Sequence, residues 1–174
     1  KDMMILILPV VIGVGANQIN SIVDKSLASL LGTEVVASFS YAIKLYEFVQ
    51  ALFITSILAV IYPRLSSMIV SDRMDSFLNS LKKTMNVIIV ALVPIIVGCI
   101  VLSRQIVEVL FQRNAFTSKD TTMTASILWI YVIGILAFAL RDVLTRGFYS
   151  MEDSKTPMIN SIISIVFNIS LNLI

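Results

Sequence analysis

Histidine is absent from the 174 residues, and there is one cysteine, Cys99. The first absence removes the usual general base and the commonest transition-metal ligand. The second excludes a disulfide framework and a thiolate metal site. Charge is also scarce: 14% of residues are charged, against about a quarter in an ordinary soluble domain. No G-x-S-x-G elbow, P-loop, His/Cys cluster or Gly-rich dinucleotide turn occurs, so nothing points to an enzyme. No basic stripe is interleaved with aromatics, so nucleic-acid binding has no support either.

What fills the chain is apolar: 57% of residues are hydrophobic, in long runs between clustered charges. The composition predicts an all-α integral membrane protein, a polytopic bundle of five transmembrane helices. Expected spans are about 3–31, 35–69, 77–102, 120–149 and 156–174. Pro9 and Pro157 suit first-turn positions, Gly32 follows the first span, and Pro94 is expected to kink the third. Thr117 with Asp120 resembles a capping box. The stretch RQIVEVLFQRNAFTSKD reads equally as a short amphipathic surface helix, with Ile106, Val107, Leu110 and Phe111 on one face, or as a continuation of the third span. The chain starts at Lys1 and stops at Ile174 inside an apolar stretch, and is read as one membrane-domain fragment (1–174) of a longer protein, not expected to fold alone.

Loop charge gives the orientation. Lys1, Arg64, Arg73, Lys82, Lys83, Arg146 and Lys155 fall on one side, whereas Arg104, Arg113 and Lys119 fall on the other. The richer side is expected to be cytoplasmic.

Two spans carry polar stripes. Asn17, Asn20, Ser21, Asp24 and Ala28 share one helical face, as do Ser40, Tyr41, Lys44, Glu47, Ala51 and Thr55 on the next. Charge in hydrocarbon costs at least about 2.5 kcal/mol, so such stripes face protein or a water-filled cavity. Lys44 can face a cavity and attract an anion, with Asn17, Asn20 and Glu47 beside it as further substrate contacts. The alternative is a pair with Glu47 or snorkelling to the interface. Asp24 can bind a coupling cation or relay a proton, with amide oxygens from Asn168 and Asn172, or pair with a cation of another helix. Arg141 and Asp142 read as topological anchors. Arg146 can reach back towards a cavity mouth.

Four blocks, NQINSIVDKSLASLL, YAIKLYEFVQALFITSILAVIYPRLSS, LFQRNAFTSKDT and VLTRGFYSMEDSKTP, together resemble the MurJ/MviN family of bacterial lipid II flippases, in the multidrug/oligosaccharidyl-lipid/polysaccharide exporter superfamily. The resemblance implies a fourteen-helix fold of two lobes around a cationic cavity. This chain would be helices seven to eleven, the opening of the second lobe, in the bacterial cytoplasmic membrane. The family's basic cavity position matches Lys44, where the family has arginine; lysine keeps the charge and loses the two-pronged donor geometry. Arg146 matches another basic position. Asp24, Asn168 and Asn172 fall on a Na⁺ site known in some members, with Asn where one ligand would be a carboxylate. The implied activity is transfer of undecaprenyl-pyrophosphate-linked lipid II to the outer leaflet, with membrane lipids and the remaining helices of the longer chain as its partners. No cofactor is implied beyond Na⁺ as a coupling ion. The alternatives are another superfamily exporter, of polysaccharide-lipid or drug, and a non-transporting scaffold for cell-wall enzymes.

Overall fold

A bilayer offers backbone amides no water, so an apolar chain satisfies its N–H and C=O groups within helices. The computed structural model shows this outcome, with no strand among the described residues. Those residues are 2–30 and 32–172; side chains at 2–6, 8, 9, 16, 17, 19, 20, 24, 27, 28 and 172 lie outside the description. The helices are α1 (Asp2–Leu30), α2 (Thr33–Val70), α3 (Met74–Phe111), α4 (Ser118–Ser150) and α5 (Lys155–Asn172). Helices α2, α3 and α4 are each apolar and long enough to cross a membrane. At 33 to 38 residues they measure about 50–57 Å, well beyond the roughly 30 Å of hydrocarbon.

The helix that carries the third expected span is longer than that span. Helix α3 runs on from Leu102 to Phe111, so the separate surface helix gives way to the continuation. No helix breaker lies between those residues, and Val107 is fully buried in a cluster with Ala42, Ala125, Leu128 and Val132. The helix also passes through Pro94 without interruption. Thr117 and Asp120 form a complete capping box at the start of α4, as their spacing predicts.

One irregularity has no counterpart in the expected pattern. Residues Gln50–Thr55 of α2 are π-helical, between α-helical Thr33–Val49 and Ser56–Val70. The buried residues explain it. Ala42 and Ile54 both face the core yet lie twelve positions apart, about 120° out of phase in a plain α-helix. Absorbing one extra residue in a π turn cuts that mismatch to about 20°.

Helices α2 and α4 run side by side in the same direction, held by Phe39 on Tyr131, Gln50 on Asp142 and Ser66 on Ser150. Helix α3 returns between them. A second buried cluster unites all three through Ile54, Leu58, Ile88, Leu92, Ile135, Ala139 and Val143. Helices α1 and α5 pack mainly on each other, so closely that a Cβ at Gly13 would lie 3.7 Å from the Met158 Cα. The turns after α2 and α4 share one design: Asp72 and Glu152 adopt left-handed φ of 52° and 60°, and the next N–H reaches back to Met68 O and Phe148 O.

Candidate functional site: an open cleft between two helix groups

The α1–α5 pair stands partly clear of the α2–α3–α4 group, and a cleft of about 890 Å³ opens between them. Helix α1 contributes Val10, Gly13 and Val14; α2 contributes Thr55, Leu58, Ala59 and Tyr62. Helix α4 supplies the charge, Arg141, Asp142 and Arg146, with Thr145. Helix α5 faces them with Asn160, Ser161 and Ser164. All lie in the half towards the basic loops, the cytoplasmic side by loop charge.

Arg141 donates to Asp142 Oδ1 through Nη2 at 2.9 Å and Nε at 3.3 Å. Asp142 Oδ2 accepts from Gln50 Nε2, the first residue of the π segment, at 3.4 Å. Arg146 lies over the Tyr62 ring, 5.5 Å from its centroid, so its cation is held against the cleft wall, and among the described residues it forms no ion pair. Arg141 and Asp142, read as anchors in the sequence, also line the cleft. Sequence reasoning did not mark this pair as cleft residues, nor Asn160, Ser161 and Ser164 on α5. The signal for the latter was there, because Asn160, Ser161, Ser164 and Asn168 recur at helical spacing.

Lys44 stands apart from the cleft. Its ammonium lies 5.6 Å from the Tyr41 centroid, and the side chain is exposed. Glu47 is exposed too, and among the described residues the two form no ion pair. Of the expected α2 stripe, Lys44, Glu47, Ala51 and Thr55 are exposed and Ser40 and Tyr41 are partly buried; Thr55, beyond most of the π segment, lines the cleft. With Gln50 level with Asp142, Lys44 lies about 9 Å outward and Arg146 about 6 Å inward, so the two are separated by about 15 Å along the bundle.

Of the remaining candidates, the side chains of Asn17, Asn20, Asp24 and Asn172 lie outside the described residues. Asn168 is half-buried on α5. The backbone fixes one relation: α1 and α5 run in parallel with Gly13 beside Met158. Asp24 is eleven residues beyond Gly13 and Asn168 ten beyond Met158, so the two positions share a level.

At the opposite end a second, shallower hollow of about 590 Å³ lies between the starts of α2 and α4. Lys119 spans it to Glu34 at 2.6 Å, and the Tyr41 ring meets Phe111 at a tilt and Phe116 edge to face. Both charges of that pair are more than half exposed, which makes it a weak clasp.

Comparison with known proteins matches this architecture. Residues 1–174 match the family described as lipid II flippase MurJ. A probable lipid II flippase MurJ of Vibrio cholerae is 36% identical over 97% of the chain and 32% of its own length. Those of Haemophilus influenzae (33% identity, 97% of the chain, 34% of the relative) and Rickettsia prowazekii (29%, 100% and 34%) are similar. The chain spans about a third of the length of the curated relatives it matches. With its multi-pass helices and whole-length match, the chain belongs to the lipid II flippase MurJ family.

Proposed function

We propose that this chain is part of a lipid II flippase of the bacterial cytoplasmic membrane, its helices being seven to eleven of a fourteen-helix, two-lobed transporter. The single observation that carries the reading is an open, arginine-bearing cleft in a chain of this family. The headgroup of lipid II carries a pyrophosphate, and its transfer needs cationic groups in a water-filled path with the lipid tail left in hydrocarbon. Lys44 and Arg146 supply charge at two depths, about 15 Å apart, so they serve successive positions of the anion better than one shared site. Asn17, Asn20 and Glu47 provide polar contacts for the rest of the headgroup.

Na⁺ is the coupling ion in this reading, held by Asp24 with Asn168 and Asn172. Oxygen donors suit a hard cation, and the shared level of Asp24 and Asn168 supports the set. The bound ion would supply positive charge that offsets Asp24. Movement of each elementary charge across the membrane is worth about 2.3 kcal/mol per 100 mV, enough to bias the return step.

The test is complementation by the full-length protein in cells depleted of their own flippase, with membrane abundance checked. Lys44→Arg is expected to support growth and Lys44→Ala to fail at normal abundance. Full growth with Lys44→Ala would show that the charge is not used, leaving a packing role for the stripe and favouring a scaffold.

A further inference from the structure

Arg141 and Asp142 are adjacent in sequence, and adjacent residues on a helix point about 100° apart. Their ion pair is therefore confined to one carboxylate oxygen: both contacting guanidinium nitrogens converge on Oδ1, at 2.9 and 3.3 Å. The parallel two-oxygen arrangement that makes arginine–carboxylate and arginine–phosphate pairs strong is not formed. Arg141 has five N–H donors, so most remain outside the pair. The Phe138 ring, 5.2 Å from the guanidinium carbon, supports the arginine from one side. Gln50 holds the other carboxylate oxygen from α2. A carboxylate thus occupies Arg141 inside an open cleft whose other cation is Arg146.

We infer that Arg141 is a further anion-holding residue of the cleft, with Asp142 as an internal counter-ion that an incoming phosphate or pyrophosphate oxygen displaces. Gln50 and Asp142 are positioning residues in this scheme: the amide retains the carboxylate on α4 when the guanidinium turns to the ligand. The exchange replaces a single-oxygen contact by a fork on two phosphate oxygens. It is easily reversed, because the pair being broken is half open to solvent and contributes little by itself. A cleft without the carboxylate would hold the anion more tightly and release it more slowly. For the identity of the ligand as a lipid headgroup this inference rests on the flippase reading; for the anion chemistry it stands on the cleft alone.

The experiment uses full-length protein in nanodiscs, with inorganic pyrophosphate as the probe and its binding measured by calorimetry. Arg141→Gln is expected to weaken binding at least about tenfold, and Arg141→Lys to weaken it less. Asp142→Asn, which keeps an acceptor for Gln50, is expected to tighten binding several-fold. The double variant is expected to bind like Arg141→Gln alone, since the counter-ion has no effect once its arginine is gone. Binding by Arg141→Gln equal to wild type would overturn the assignment, as would weakening by Asp142→Asn to the Arg141→Gln level. Lipid II transfer by wild type in proteoliposomes separates the two claims. Pyrophosphate binding without transfer would defeat the flippase reading and leave the anion site standing. Transfer without pyrophosphate binding would do the reverse.

Discussion

Asp153 shows how one side chain in a four-residue turn sets the start of a whole helix. Its Oδ1 accepts from the backbone N–H groups of Lys155 and Thr156 at 3.1 and 3.0 Å, and its Oδ2 accepts from the Thr156 hydroxyl at 2.6 Å. These bonds satisfy donors at the start of α5 that the helix itself leaves unpaired. The hydroxyl of Thr156, followed by its backbone N–H, holds the Asp153 carboxyl below the ordinary carboxylate range. A lowered folded-state pKa means that the ionised cap stabilises above the unfolded value of about 3.9 and that this contribution fades as pH falls through the folded value. Full-length wild type and Asp153→Asn are therefore expected to differ in thermal unfolding at pH 7, with wild type the more stable. The gap should narrow once the pH drops below about 4. A gap that persists unchanged at pH 3 would show that the ionised carboxylate is not what holds the turn. Little of this was legible in the sequence. Thr117 with Asp120 stands out as a capping pattern at its three-residue spacing, whereas Asp153 acts through a Ser-Lys-Thr run that carries no comparable signature.

Helix α2 makes the corresponding point one level up. Its existence and length were legible, because a membrane span requires a long apolar stretch and little else in the chain competes with that signal. The exposure of Lys44 and Glu47, ahead of the π segment, agrees with the polar spacing there, whereas Ser40 and Tyr41 of the same expected stripe are partly buried. The π segment was not read, although its trace is present: Ala42 and Ile54 are both buried and twelve apart. That trace becomes visible only when the facing residues of α3 and α4 are known. Deleting Ala51, an exposed residue of the segment, is expected to convert it to ordinary α-helix and leave Ala42 and Ile54 aligned to within about 20°. Deleting Ala59, equally exposed, has no such slack. It would turn Leu65, fully buried, about 100° off the core, with a loss of the order of 2–5 kcal/mol for a large core side chain. Membrane abundance of the two full-length deletions is the measurement: near wild type for the first, strongly reduced for the second. Equal abundance would mean that the π turn does not reconcile the two faces.

At the scale of the bundle, both buried clusters belong to α2, α3 and α4, whereas α1 and α5 hold chiefly to each other. The cleft is the gap between these two groups, and its walls come from residues as far apart as Val10 and Ser164. No pattern within one helix encodes such a gap, which is why Arg141 and Asp142 read as anchors until the helices were assembled. In the proposed flippase, alternating access asks that a gap of this kind change its width, and the weak tie between the groups is what would permit it. A covalent bridge should then stop transport without unfolding either group. In the full-length protein with Cys99→Ala, Thr145→Cys on α4 and Ser161→Cys on α5 place thiols on opposite walls. A short thiol-reactive crosslinker joined through reducible disulfides is expected to abolish lipid II transfer in proteoliposomes, and a reductant to restore it. Each single-cysteine variant treated alike serves as the control and is expected to keep most of its transfer. If the bridged protein transfers lipid II at the uncrosslinked rate, the two groups need not move apart, and the moving boundary must lie between this set of helices and the rest of the longer chain.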